Sequence, residues 1–210
     1  MRLRKEIPSG AGMGGGSADA AAALIGLNRL WRLGFSTEEL ERIGLTVGAD
    51  MPFLVRGGLC RAEGIGEKLT SLTPAPQGWL VLWQPCDGLS TGEIFSAFDH
   101  TPPEKLARPQ TLRAQQALLT GDWAALAASM KNVLEGVSVE KRPELNRALR
   151  RLEALGALRA MMTGSGSVVY GLFDSPEKAE AALAGLDNEK GFRAVTCTEA
   201  EGVRFISPLS

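Results

Sequence analysis

The residues best suited to chemistry lie near the start of the chain, in Pro8-Ser9-Gly10-Ala11-Gly12-Met13-Gly14-Gly15-Gly16-Ser17-Ala18. Glycine lets a backbone take positive φ and lets its N–H groups close on an anion with no side chain in the way. An alanine-rich stretch follows at once and predicts a helix from about Ala18 to Leu33. The loop therefore meets the positive end of a helix dipole and several unpaired N–H groups. Together they form a phosphate cradle built from main chain. Ser17 reads as the cap of this helix, Asp19 as a favourable charge in its first turn, and Ala20, Leu24, Leu27 and Trp31 as its apolar face.

Other uses of such a loop fit less well. A Walker A loop ends in Gly-Lys-Ser/Thr, and no Lys follows Gly16. Gly10, Gly12 and Gly15 do satisfy G-x-G-x-x-G, but a dinucleotide fold needs a strand after the first helix, with an acidic residue about 20 positions on. Instead Ser36 and Glu39 form a capping box for a second helix ending near Gly44, and Asp50 comes too late. A free glycine linker would not carry Met13 and Ala11 or run straight into a helix.

Asp50, in Gly48-Ala49-Asp50-Met51-Pro52, is the second candidate. Local sequence leaves two readings: a turn aspartate beside Gly and Pro, or a carboxylate that orients or deprotonates an attacking hydroxyl.

Composition narrows the chemistry. The 210 residues carry 23 Lys and Arg against 24 Asp and Glu, a net charge of −1, so no broad basic field awaits nucleic acid or a membrane surface. With His100 as the one histidine and Cys60, Cys86 and Cys197 far apart, a zinc cage or Ser-His triad is excluded. No apolar stretch approaches a membrane span, and Met1 to Ser9 lacks a signal-peptide core, which points to the cytoplasm.

The elements that must position these residues read as follows. Met1 to Ile7 alternates like a short strand ended by Pro8, and further strands are expected at Phe53–Val55 and Leu59–Arg61. Pro74 to Gly78 is the candidate linker. Beyond it come a strand at Trp79–Trp83, a Ser/Thr cap and amphipathic turn at 89–95, and helices near 103–119, 122–136 and 143–155. Strands at 157–163 and 167–173, a helix at 176–186 and a strand at 192–198 complete an α+β sandwich with helices on one side.

The segment Pro8 to Ala18 resembles the P-x-x-x-G-L-G-S-S/G-G-S-A/S motif of the GHMP kinases, the superfamily of galactokinase, homoserine kinase and mevalonate kinase. The triple glycine, Leu27-Asn28-Arg29-Leu30-Trp31 and Gly48-Ala49-Asp50-Met51-Pro52-Phe53 are similar to the members acting on a cytidine diphosphate-linked methylerythritol. Gly64-Ile65-Gly66-Glu67, Leu89-Ser90-Thr91, Lys131-Asn132-Val133-Leu134-Glu135 and Met162-Thr163-Gly164-Ser165-Gly166 agree, in order.

The resemblance implies a GHMP-kinase fold: a ribosomal-protein-S5-like nucleotide domain over 1–75, missing its first strands, and a ferredoxin-like domain over 76–210. It implies transfer of the γ-phosphoryl group of ATP, accompanied by Mg²⁺, to the 2-hydroxyl of that small-molecule substrate, in non-mevalonate isoprenoid precursor biosynthesis. Asp50 matches the catalytic Asp, Lys5 and the residues from Pro8 to Ala18 match nucleotide contacts, and Thr91 and Phe95 match substrate contacts, with Phe95 stacking on the cytosine. Thr163 to Ser167 matches a third motif that packs against the phosphate loop. No metal ligand is assigned, and monomer and homodimer both stay open. The family's catalytic Lys precedes the glycine loop in a segment with no counterpart here. A chain that starts late is therefore expected; the alternatives are another GHMP small-molecule kinase or, because that Lys segment is absent, a non-catalytic nucleotide-binding remnant.

Overall fold

The computed structural model describes residues 2–74, 76–102 and 109–206. The chain divides into two compact units. One comprises Met1–Arg4, Gly14–Ala75 and Glu199–Ser210, the other Lys5–Met13 and Pro76–Thr198. The division crosses the glycine loop between Met13 and Gly14.

In the first unit, helices α1 (Gly15–Leu30), α2 (Thr37–Leu45) and α3 (Met51–Arg56) precede a hairpin of β1 (Cys60–Glu63) and β2 (Lys68–Ser71). The Ser36–Glu39 capping box forms as expected, with Glu39 N donating to Ser36 Oγ and Ser36 N to Glu39 Oε2. Asn28 closes the α1–α2 connection by bonding both the N–H and the carbonyl of Phe35. The core gathers Ala21, Leu40, Met51 and Val55. Arg56 pairs with Glu41 at 2.6 Å through two nitrogens, and that bond raises the Arg56 pKa further.

Several expectations change here. Residues 2–6 form no strand, because an alternating sequence needs a ladder partner and none pairs with it among the described residues. Helix α1 begins three residues earlier than expected, at Gly15, so Ser17 lies inside its first turn and caps nothing, and Asp19 falls beyond that turn. The helix stops at Leu30, leaving Trp31 64% exposed rather than in the apolar stripe. Helix α2 does end near Gly44, at Leu45, with Gly44 buried in its last turn, where a Cβ would come 3.0 Å from that of Met51. Phe53–Val55 is helical, since Pro52 pre-sets the first turn of α3. A short apolar run cannot by itself distinguish strand from helix.

The second unit is built on an antiparallel sheet of β3 (Trp79–Trp83), β4 (Arg159–Met162), β5 (Val169–Phe173) and β6 (Arg193–Cys197), in the order β4-β5-β3-β6. With α9 (Pro176–Ala184) between β5 and β6, this is the ferredoxin-like βαββαβ order. On one face, α8 (Pro143–Ala154) and α9 cover Val81, Trp83, Met162, Val169 and Phe173. The other face is not bare, as the sandwich reading expected. Leu80 and Leu172 point the opposite way and pack with α5 (Thr111–Thr120) and α6 (Trp123–Ser129).

The amphipathic turn near residue 91 is a full helix, α4 (Thr91–Asp99), capped by Ser90. The helix expected at 103–119 starts at Thr111 in the described part, and 103–108 lie outside the described residues. The helix expected at 122–136 is broken after Ser129 and resumes as α7 (Glu135–Lys141).

Candidate active site

The loop's two halves are built differently. Residues 5–13 belong to the second unit, where Lys5 lies in an exposed irregular segment and Ala11 is 2% exposed. Ala11 O accepts a hydrogen bond from Val168 N at 3.1 Å, and Gly12 O accepts one from Thr163 Oγ1 at 2.9 Å. Gly12 has φ 72°, and a Cβ there would collide with Thr163 O and lie 2.8 Å from Gly166 N. The third glycine motif thus packs directly on this half, as the resemblance implied.

That motif is itself held from several sides. The Asn132 side-chain amide donates to Met162 O and Gly164 O, both at 2.8 Å, and its Oδ1 accepts from Leu134 N. Glu135 Oε2 accepts from Met162 N at 2.8 Å. Burial pushes the Glu135 carboxyl above the ordinary carboxylate range, and the Met162 N–H pulls it partly back. Thr91 Oγ1 and Ser165 Oγ share a hydrogen bond of 2.9 Å, and Ser167 Oγ donates to Cys86 O. Thr91 and Phe95 stand one turn apart on α4, with Phe95 50% exposed. Asn132 and Glu135 carried no assigned role in the sequence. N-x-x-E resembles a capping signal, and only the fold turns it toward the end of β4.

The other half opens α1. Gly14 is its N-cap, left-handed at φ 64°, and makes no side-chain cap bond. Ala18 N donates to Gly14 O, the first bond of the helix, so Gly15, Gly16 and Ser17 have no intrahelical acceptor for their N–H groups. Asp50 borders this end: a Cβ built on Gly14 would sit 4.0 Å from Asp50 Oδ2. Asp50 precedes α3 but its side chain makes no cap bond there, which leaves the exposed carboxylate facing Gly14. The hairpin turn supports it from behind, because Gly66, at φ 121°, approaches Ala49 O so closely that a Cβ would lie 2.7 Å away. Glu67 ties that turn by accepting from Ile65 N at 2.8 Å. Helix α1 leads into α2 rather than a strand, which disposes of the dinucleotide-fold reading.

Comparison with known proteins bears on the family and the fold. Residues 1–58 match the GHMP kinases N terminal domain and residues 114–191 the GHMP kinases C terminal domain. The 4-diphosphocytidyl-2-C-methyl-D-erythritol kinase of Alkaliphilus oremlandii is 44% identical over 86% of this chain and 61% of its own length. The kinase of the same name from Moorella thermoacetica is 42% identical over 94% of this chain and 70% of its own. The chain thus spans between three-fifths and seven-tenths of these relatives' lengths. A crystal structure of 4-(cytidine 5'-diphospho)-2C-methyl-D-erythritol kinase superposes with a TM-score of 0.76 at 33% identity, covering 93% of this chain and 68% of that one. Homoserine kinase from Cytophaga hutchinsonii, at 19% identity and a TM-score of 0.73 over 94% of this chain and 69% of its own, shares the fold. On its sequence, its two matched domains and its fold, the chain belongs to the GHMP kinase family, among the 4-diphosphocytidyl-2-C-methyl-D-erythritol kinases.

Proposed function

We propose that this chain binds ATP at the glycine loop and transfers its γ-phosphoryl group to the 2-hydroxyl of 4-diphosphocytidyl-2-C-methyl-D-erythritol. The observation that carries the reading is the Asp50 carboxylate beside the uncapped N-terminus of α1 at Gly14. Phosphoryl transfer asks a protein for in-line placement and charge stabilisation more than for covalent chemistry. The N–H groups of Gly15, Gly16 and Ser17 meet the phosphate oxygens. Asp50 orients the acceptor hydroxyl and takes its proton as the oxygen attacks the γ-phosphorus, and ADP leaves. Phe95 offers an exposed ring for the cytosine, and Thr91 a hydroxyl beside it.

Mg²⁺ neutralises the nucleotide's phosphates when bound. Among the described residues no cluster of three or more His, Cys, Asp or Glu could hold a metal. A single exposed carboxylate still fits, because Mg²⁺ is usually held by one or two carboxylates, with water and substrate phosphates completing the shell. The exposed Asp50 carboxylate is the group of this chain that would hold it. Among the described residues no helix is long and apolar enough to cross a membrane. Three unpaired thiols accord with a reducing cytoplasm.

The test is ADP release from Mg-ATP by the 210-residue chain, with and without the methylerythritol substrate. Release that depends on this acceptor supports the reading, and release with homoserine or mevalonate instead would reassign the substrate. Asp50→Asn should lower kcat by about a thousandfold or more while ATP affinity stays within a few-fold. A large loss of ATP binding would count against its role on the hydroxyl.

A further inference from the structure

We infer that Asn132 is a positioning residue for the phosphate loop, acting through Thr163. This rests on reading residues 8–18 as that loop. Asn132 lies in the break between α6 and α7, and its side chain grips the two carbonyls on either side of Thr163, those of Met162 and Gly164. One planar amide bonded to both neighbours fixes the residue between them. The bond from Thr163 N to Val168 O supplies a third restraint. What remains for Thr163 is its hydroxyl, which is aimed at Gly12 O at 2.9 Å. Asn132 reaches no loop atom through these bonds, so its influence on the loop passes through Thr163.

The residue type follows from the geometry. The site needs two donors on one atom and an acceptor on the other, since Oδ1 takes Leu134 N at 2.9 Å. Asn supplies this set at this length; Asp has the shape but no donors, and Gln is one methylene too long. Asn132→Asp would put a carboxylate against two carbonyl oxygens within the same volume.

The amide of Val168 reports the outcome directly, because its N–H donates to Ala11 O and so bridges the turn and the loop. In the full chain, hydrogen exchange at Val168 and Thr163 should quicken about tenfold in Asn132→Asp, and by less in Asn132→Ala, while the amides of β3 keep their rates. Thr163→Val should show the same local quickening at Val168, and Thr163→Ser should restore the wild-type rate. The double variant Asn132→Ala, Thr163→Val should be no worse than the more affected single one. Mg-ATP affinity should weaken in step with Val168 exchange. Wild-type exchange at Val168 in both Asn132 variants, or uniform quickening across the sheet, would overturn the positioning role. The failure of the wild-type chain to bind Mg-ATP would instead overturn the phosphate-loop reading. Undiminished ATP binding in both Asn132 variants would overturn the positioning role alone.

Discussion

Gly12 and Gly14 stand two residues apart, both in the left-handed region at φ 72° and 64°, yet they serve opposite ends. Gly12 is a packing glycine: the turn from Thr163 to Gly166 fills the space a side chain would take, and its carbonyl is already bonded. Gly14 is an open glycine: the nearest atom a Cβ would meet is Asp50 Oδ2, 4.0 Å away, and the N–H groups just beyond it have no intrahelical acceptor. One glycine-rich sequence thus contains a fixed half and a receptive half. Where backbone groups are already bonded, glycine lets two segments meet; where they are unbonded, it leaves room for a ligand.

The comparison can be broken at its receptive side first. Gly14→Asp sets a second carboxylate beside Asp50 and, on the proposed function, in the path of the phosphates. Mg-ATP affinity should fall on the order of a hundredfold or more, about 3 kcal/mol, in a calorimetric titration. Retained affinity would mean the space is not where phosphate sits. On the fixed side, Gly12→Ala must displace the backbone of Thr163 and Gly166, and denaturant unfolding should record a loss of about 2 kcal/mol. A neutral result would show that the seam yields, and the contrast between the two glycines would vanish.

The smallest effect concerns the support behind the seam. Burial holds the Glu135 carboxyl above its ordinary value of 4.5. It therefore binds its proton more tightly in the folded chain than in the unfolded one. The stabilisation is complete below that ordinary value and is lost as pH rises through the folded one. Glu135→Gln keeps an acceptor for Met162 N but cannot ionise. Its melting temperature should gain on the wild type as pH rises from the acid range, then hold a constant difference; parallel curves at all pH values would show the burial to be unimportant.

Much of this was legible in residue types. The capping box at Ser36, the strand at Trp79–Trp83 and the α8 and α9 patterns each depend on local bonds or on one buried face, which period and capping chemistry report. The start of α1 was misplaced because glycine has poor helix propensity, and the observed first turn runs through Gly15 and Gly16. The strand at β2 was missed for another reason. Lys68–Ser71 is short and mostly exposed, so only its pairing with Cys60–Glu63 makes it a strand.

The sequence by itself determined that a glycine-rich loop opens a helix, because glycine spacing and helix polarity are properties of neighbouring residues. It also made Asp50 a candidate, without choosing between a turn and a catalytic carboxylate. Tertiary structure decided the rest: that Asp50 leaves α3 uncapped and faces Gly14, and that Asn132, Glu135 and Thr163 hold the turn against which Gly12 packs. These partners lie 27 to 151 positions apart where hydrogen bonds join them. Local pattern carries no information across such separations; packing and the need to satisfy buried polar groups bring the residues together.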